Sequence, residues 1–383
     1  MPTFLGLPSA LSCSVTSELD LEDFFNLRQV SRDVNRIVLP VFAKRYFTTR
    51  YVMLQRHSLE IFIEISRHKT FVAALQNLEI GIDHLSAEPN QAVRSAEPPP
   101  RLRLPKRALE RLLNLESIVL ESKRRPWGAR TQQRQTGVLP TNAIEAPESA
   151  EFVKHVIRVV LVAITARNLP LDSFDIALGL DIGEAVIPDM LALPELYSRH
   201  IQSNPIHLDS LNLTVNPGLG VGRARSASHI LKFITLFPTL RQLHLSFGPR
   251  DQRYCFNTIS QFLSLPKLQV LEINAADCTG DEISTLLVRH KDTLEEIHFG
   301  VVDIIASGGT WQSLLRTIHK TCRVKILSMY YCLSARQDVC LKYRDGDGTQ
   351  LQDFEVSGAC EDWNRVIEGI TVMNGGLSRL STL

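Results

Sequence analysis

Residues 268–273 read LQVLEI, and the same spacing of apolar residues returns as LDSLNL (208–213), LRQLHL (240–245), LEEIHF (294–299), VKILSM (324–329) and LQDFEV (351–356). The apolar residues around the fourth and sixth positions alternate with polar ones, the period of two that sends successive side chains to opposite faces of a strand. The fourth positions, 211, 243, 271, 297, 327 and 354, lie 26 to 32 residues apart, room for one strand and one helix. The intervening runs HILKFITLF, FNTISQFLSL, EISTLLVRH and WQSLLRTIH supply the helices. Their apolar residues recur at helical spacing, as at Ile283, Leu286 and Leu287 or Trp311, Leu314, Leu315 and Ile318. Asp281 and Thr310 are the expected caps of the last two.

A strand with one apolar stripe and a helix of about ten residues cannot bury their apolar faces alone, so consecutive units must stack. The expected fold is α/β, an irregular solenoid of strand-helix repeats with a curved parallel sheet. The pattern resembles the leucine-rich repeat. Its LxxLxLxxN/C signature is completed by Asn216 and Cys332, whereas Gly248, Ala276 and Val302 stand at that position elsewhere. Degenerate copies are expected upstream at LQNLEI (75–80), LESIVL (115–120) and IRVVLV (157–162). Two inserts rich in Pro, Arg, Gln and small polar residues separate them, and neither holds enough apolar surface to offset its ordering entropy.

The first fifty residues follow another logic. Asp20 and Asp23 make an acidic helix start, and Phe24, Leu27, Val30, Val34 and Ile37 recur at three and four. Ser31 reads as a cap and Pro40 as the end or restart of a helix. So much apolar surface on about forty residues exceeds what so small a module can hide. The stretch resembles the F-box: Leu7-Pro8, apolar residues at Leu11, Val15 and Leu19, then Asp23, Phe24, Leu27, Val30, Ser31 and Arg32 at the family's intervals. The segments around residues 58–80 and 284–320 are similar to those of fungal F-box proteins with leucine-rich repeats.

The resemblance implies a substrate receptor of an SCF-type cullin ubiquitin ligase, not an enzyme in itself. A small helical F-box would dock on the adaptor subunit, and through it on a cullin, by Leu7, Pro8, Leu11, Val15, Leu19, Phe24, Leu27 and Val30. The repeats would hold a protein substrate. Alternation along the strands assigns the exposed sheet face to Asn212, Thr214, His244, Glu272, Asn274, Glu296, His298 and Tyr330, among other polar positions. That face is polar and slightly acidic, so it suits a neutral or basic protein segment and disfavours nucleic acid. The alternative is a non-catalytic repeat scaffold with no part in degradation, its F-box-like start serving only as a cap.

The expected organisation is an F-box-like module at 1–47, connecting helices and degenerate first repeats at 48–122 with a Pro-rich insert at 86–105, a disordered basic and polar insert at 123–150, repeats at 151–360, and a C-terminal helix and tail at 361–383. Residues 94–134 hold eleven Lys or Arg against four Glu within a chain of net charge +1, a solvated insert before it is a nucleic-acid site. Seven cysteines form no CxxC pair and the histidines no HExxH, so neither a disulfide framework nor a metal site is expected. The start lacks the basic flank of a signal peptide, and no run is long and apolar enough to span a membrane. No cofactor is expected either: the glycines after LNLTV lack nucleotide-loop spacing, the DGDG at 345–348 lacks the other calcium ligands, and no GxSxG occurs. The expected location is the cytoplasm, the nucleus or both.

Overall fold

The computed structural model describes residues 4–53, 56–82, 106–109, 111–121, 147–167, 169, 171–178, 186–195, 197, 201, 205–219, 223–248, 252–305, 309–342, 350–351, 353–357 and 360–372. The insert at 86–105, most of that at 123–150 and the DGDG turn lie outside these residues. The chain is mixed α/β with largely parallel strands, and it divides into two units, Met1–Asn142 and Ala143–Leu383.

The first unit opens with α1 (Ser9–Ser17), α2 (Leu21–Val30) and α3 (Arg32–Tyr46). Asp20 caps α2 by accepting a hydrogen bond from the Asp23 N–H at 2.8 Å. Ser31 ends α2 in extended backbone and caps α3, accepting from the Val34 N–H at 3.1 Å. Such caps satisfy N–H groups that the helix itself cannot. Pro40 does not end the helix as expected. It removes one backbone hydrogen bond, but buried Val38, Phe42 and Ala43 flank it and their packing keeps α3 continuous. Next come β1 (Thr49–Met53), α4 (Arg56–Arg67), α5 (Lys69–Ala74), β2 (Asn77–Gly81), the single turn α6 (Lys106–Leu109) and β3 (Ser117–Glu121). The strands pair in parallel, with Tyr51 opposite Glu79 and Glu79 opposite Val119, so LQNLEI and LESIVL do form strands.

The second unit begins with α7 (Pro147–Arg167), which overturns two expectations. The end of the supposed disordered insert is helical, and IRVVLV is helix, not strand. Val153, Val156, Ile157, Val160, Leu161 and Ile164 are all buried, and their three- and four-residue spacing explains why. The strand that the repeat needs is β4 (Leu171–Ala177), whose LDSFDI has the repeat's spacing.

There follow β5 (Leu208–Val215), α8 (Arg223–Ile234), β6 (Gln242–Phe247), α9 (Gln252–Phe262), β7 (Val270–Asn274), β8 (Asp277–Cys278), α10 (Gly280–Arg289), β9 (Glu296–Gly300), β10 (Asp303–Ile304), α11 (Trp311–Thr321), β11 (Ile326–Tyr330) and β12 (Leu333–Ser334). The chain ends with β13 (Gln337–Lys342), β14 (Gln350–Leu351), β15 (Phe354–Ser357), α12 (Cys360–Gly369) and β16 (Ile370–Val372). The main sheet of this unit runs β4-β5-β6-β7-β9-β11-β15. Neighbours are parallel as far as β11, but β15 is antiparallel to it, contrary to the repeat reading of LQDFEV. Among the described residues no helix separates β11 from β15. The chain instead passes through β12, β13 and β14, and without a helical crossover a strand returns in the opposite sense.

Inward residues Leu211, Leu243, Leu271, Ile297 and Leu327 and the helix residues Ile230, Phe233, Ile283, Leu286, Trp311 and Leu314 are all buried. Trp311 sits edge-on to Phe299 at 5.4 Å, and its indole N–H donates to the Leu333 carbonyl at 2.7 Å. Thr310 caps α11 as expected, but α10 is capped by Thr279, not Asp281, in a reciprocal box with Glu282. Adjacent repeats are also joined by polar groups. Arg289 donates to the last carbonyls of the preceding helix region, Ser260 and Leu263, both at 2.9 Å. Buried His290 accepts from the Leu265 N–H at 3.0 Å and contacts the Leu286 carbonyl at 2.8 Å, and burial lowers its pKa, so the neutral ring is the form held.

After β7, β9 and β11 the chain turns through Ala275, Val301 and Tyr331, whose φ values are 52°, 54° and 47°. The left-handed region is costly for any of these three residues. Each turn buries the next residue, Ala276, Val302 or Cys332, and leads into β8, β10 or β12, which form a second ladder. Cys332 and Asn216 occupy the polar positions of the repeat signature. Asn216 accepts from the Gly218 N–H at 3.2 Å, and the Cys332 thiol reaches the Phe299 carbonyl at 3.6 Å.

Candidate functional site

Two surfaces, one in each unit, carry the residues singled out from the sequence. In the first unit Phe24, Val34, Val38 and Phe42 form one hydrophobic core cluster, with Leu19, Leu27 and Ile37 packed against it. Phe24 lies 5.5 Å from Phe42 and edge-on to Tyr46 at 6.0 Å. It is 0% exposed and therefore cannot belong to a docking surface in this conformation. The helix stripe turns Phe24 inward and its neighbour Phe25 outward, because successive helical residues are about 100° apart.

The other candidates divide by depth. Leu11, Val15 and Pro8 are exposed, Val30 is 71% exposed, and Leu7, Leu19 and Leu27 are half-buried. Leu21 and Phe25 are exposed as well, although the sequence reading did not select them. Leu11 with Val15 and Leu21 with Phe25 are spaced four apart, so each pair shares a face of its helix. The scaffold beneath is fixed by two arginines. The Arg28 guanidinium lies 3.8 Å from the centre of the Phe42 ring and donates to the Asn35 side chain, while Arg45 donates to the Ser17 and Leu19 carbonyls.

In the second unit the predicted face forms as a register-matched row. Asp175, Asn212, His244, Glu272, His298, Ser328 and Glu355 stand opposite one another from β4 to β15. The sequence reading missed Asp175, because the strand that carries it was not recognised. His244 Nδ1 lies 2.5 Å from Glu272 Oε2, and the Asn274 amide donates to Glu272 Oε1 at 2.5 Å. These bonds, the His244 bond foremost, hold the Glu272 carboxyl below its ordinary pKa. His298 Nδ1 pairs with the Ser328 hydroxyl at 2.5 Å, and its Nε2 lies 3.7 Å from Glu296.

Thr214 and Tyr330 lie one row toward the strand ends. Tyr330, 37% exposed, extends over Gly300 to donate to Asn274 Oδ1. A side chain at position 300 would collide with it: a Cβ there would stand 2.1 Å from the ring. Burial raises the Tyr330 hydroxyl pKa, with Glu272 adding to the effect. The row is a bonded polar surface, with each histidine already engaged by a neighbour.

No protein-family model and no curated protein matches the chain.

Among the described residues no three His, Cys, Asp or Glu side chains are grouped to hold a metal ion. Cys255 and Cys332 are buried, which pushes each thiol up to about 12, far from the thiolate form a nucleophile needs. Among the same residues no helix is long and apolar enough to cross a membrane.

Proposed function

We propose that the chain is a non-catalytic substrate receptor of an SCF-type cullin ubiquitin ligase. Its α1–α3 module docks on the adaptor subunit, and its strand-helix repeats, continuing as a leucine-rich-repeat solenoid, hold a protein substrate on the outward sheet face. The observation that carries this reading is the combination of two surfaces. The small module buries Phe24 yet leaves Leu11, Val15, Leu21, Phe25 and Val30 exposed, while the repeats present a continuous polar row. Exposed apolar side chains on a well-packed helical scaffold are what a partner can bury, at about 1.5–3 kcal/mol each.

The test is co-elution of the purified full-length chain with recombinant adaptor subunit. Leu11→Asp and Val30→Asp should each weaken adaptor binding at least tenfold with the fold intact. Unchanged binding in both variants rejects the docking surface. A second reading, a repeat scaffold whose helices serve only as a cap, draws on the Phe47 ring stacked on Phe71 of α5 at 4.2 Å. It predicts no adaptor binding by the wild-type chain.

A further inference from the structure

The outward row of the second unit has a spacing that selects a ligand. Its three carboxylates, Asp175, Glu272 and Glu355, lie on β4, β7 and β15, three strands apart in each interval. Neighbouring strands are about 4.8 Å apart, so successive carboxylates are separated by roughly 14 Å along the row. An extended peptide rises about 3.4 Å per residue and covers that distance in about four residues. Four is even, so side chains at that interval leave the peptide on the same side.

Apart from His244 and His298, the surrounding charge has one sign. No Lys or Arg occupies an outward position on any of the seven strands, and Glu296 adds a fourth carboxylate. Asp175 lies half-buried on β4. Burial raises its carboxyl pKa and only the nearby His244 opposes that shift, so an arriving cation would offset a desolvation cost already present. At the edge of the row, Tyr330 and Tyr331 pack edge to face at 6.5 Å and offer an aromatic rest for aliphatic side-chain stems.

We propose that this row takes an extended basic protein segment with Lys or Arg at every fourth residue, crossing the strands so that each cation meets one of Asp175, Glu272 and Glu355. The proposal rests on reading the sheet face as the receptor surface and specifies what that surface receives.

Fluorescence anisotropy with the full-length chain tests it, using a labelled Lys-Ser-Gly-Ser-Lys-Ser-Gly-Ser-Lys peptide against two peptides of the same composition, one with the lysines adjacent and one with them three residues apart. The four-residue spacing should bind about fivefold more tightly than either. Asp175→Asn and Glu355→Gln should each weaken it about threefold, the scale of a solvent-exposed ion pair, and added salt should weaken it further. Equal binding of the three peptides, or indifference to both substitutions, overturns the proposal. A neutral Ser/Gly/Gln peptide and an acidic one, each measured with Asn212→Arg, separate the two levels of failure. If either binds and Asn212→Arg abolishes it, the basic class falls and the receptor face stands. If binding of no peptide responds to Asn212→Arg, both fall.

Discussion

Truncating Phe24 and charging Val30 should have opposite consequences, although both belong to the same apolar stripe of α2. Phe24 is fully buried against Phe42 and Tyr46, so Phe24→Ala removes a whole ring from a core of few large side chains. Burying a phenylalanine contributes about 1.5–3 kcal/mol by transfer alone, and the cavity raises the cost of truncation to about 3–5 kcal/mol. With a urea dependence of about 2 kcal/mol per molar, the transition of this unit should move down by roughly 1.5–2.5 M. Val30, at the last turn of α2, is 71% exposed. Val30→Asp should change stability by less than about 0.5 kcal/mol while weakening adaptor binding. Circular dichroism during urea titration gives the first quantity and adaptor co-elution the second. A Phe24→Ala midpoint within about 0.3 M of wild type would refute the core assignment. So would a Val30→Asp chain that unfolds as early as Phe24→Ala.

Three further outcomes follow from the second unit. Thr279→Ala removes one half of the capping box on α10 and should cost about 1 kcal/mol, read as a lower denaturation midpoint, whereas Asp281→Ala should cost less. Glu272 has a depressed pKa in the fold, so its contribution to stability is fully present above the ordinary carboxylate range and is lost as pH falls through the folded value. Glu272→Gln should therefore flatten the pH dependence of the urea midpoint between roughly pH 5 and pH 3, and a curve parallel to wild type would contradict the bond to His244. Iodoacetamide followed by mass spectrometry should label exposed Cys13 in the folded chain and leave Cys255, Cys278 and Cys332 unlabelled until denaturant is added.

What could be read from the amino-acid order alone was the strand part of the repeat. In LQVLEI or LRQLHL a period-two pattern with inward leucines permits one assignment of faces, and Leu243, Leu271, His244 and Glu272 lie where it puts them. The same pattern carries no direction, so LQDFEV could not disclose that its strand runs antiparallel. IRVVLV was misread because a short, nearly continuous apolar run fits a buried strand as well as a buried helix. Filling that slot hid LDSFDI and with it Asp175. Around α2 the periodicity identified an apolar stripe but not which edge faces inward, a choice made by Phe42 and Tyr46 from another helix. Pro40 obeyed packing over local preference for the same reason.

The antiparallel closure of the sheet also limits how this chain could lengthen. A duplicated strand-helix unit placed between β5 and β11 would meet parallel neighbours on both sides. Appended after β15, the same unit would find a strand of the wrong sense, together with the β12–β13 hairpin at the end of the second ladder. Gain of repeats by tandem duplication is therefore disfavoured at the β15 edge and accommodated in the parallel interior. There each added unit would insert a new residue into the outward row and lengthen one carboxylate interval by a single strand spacing.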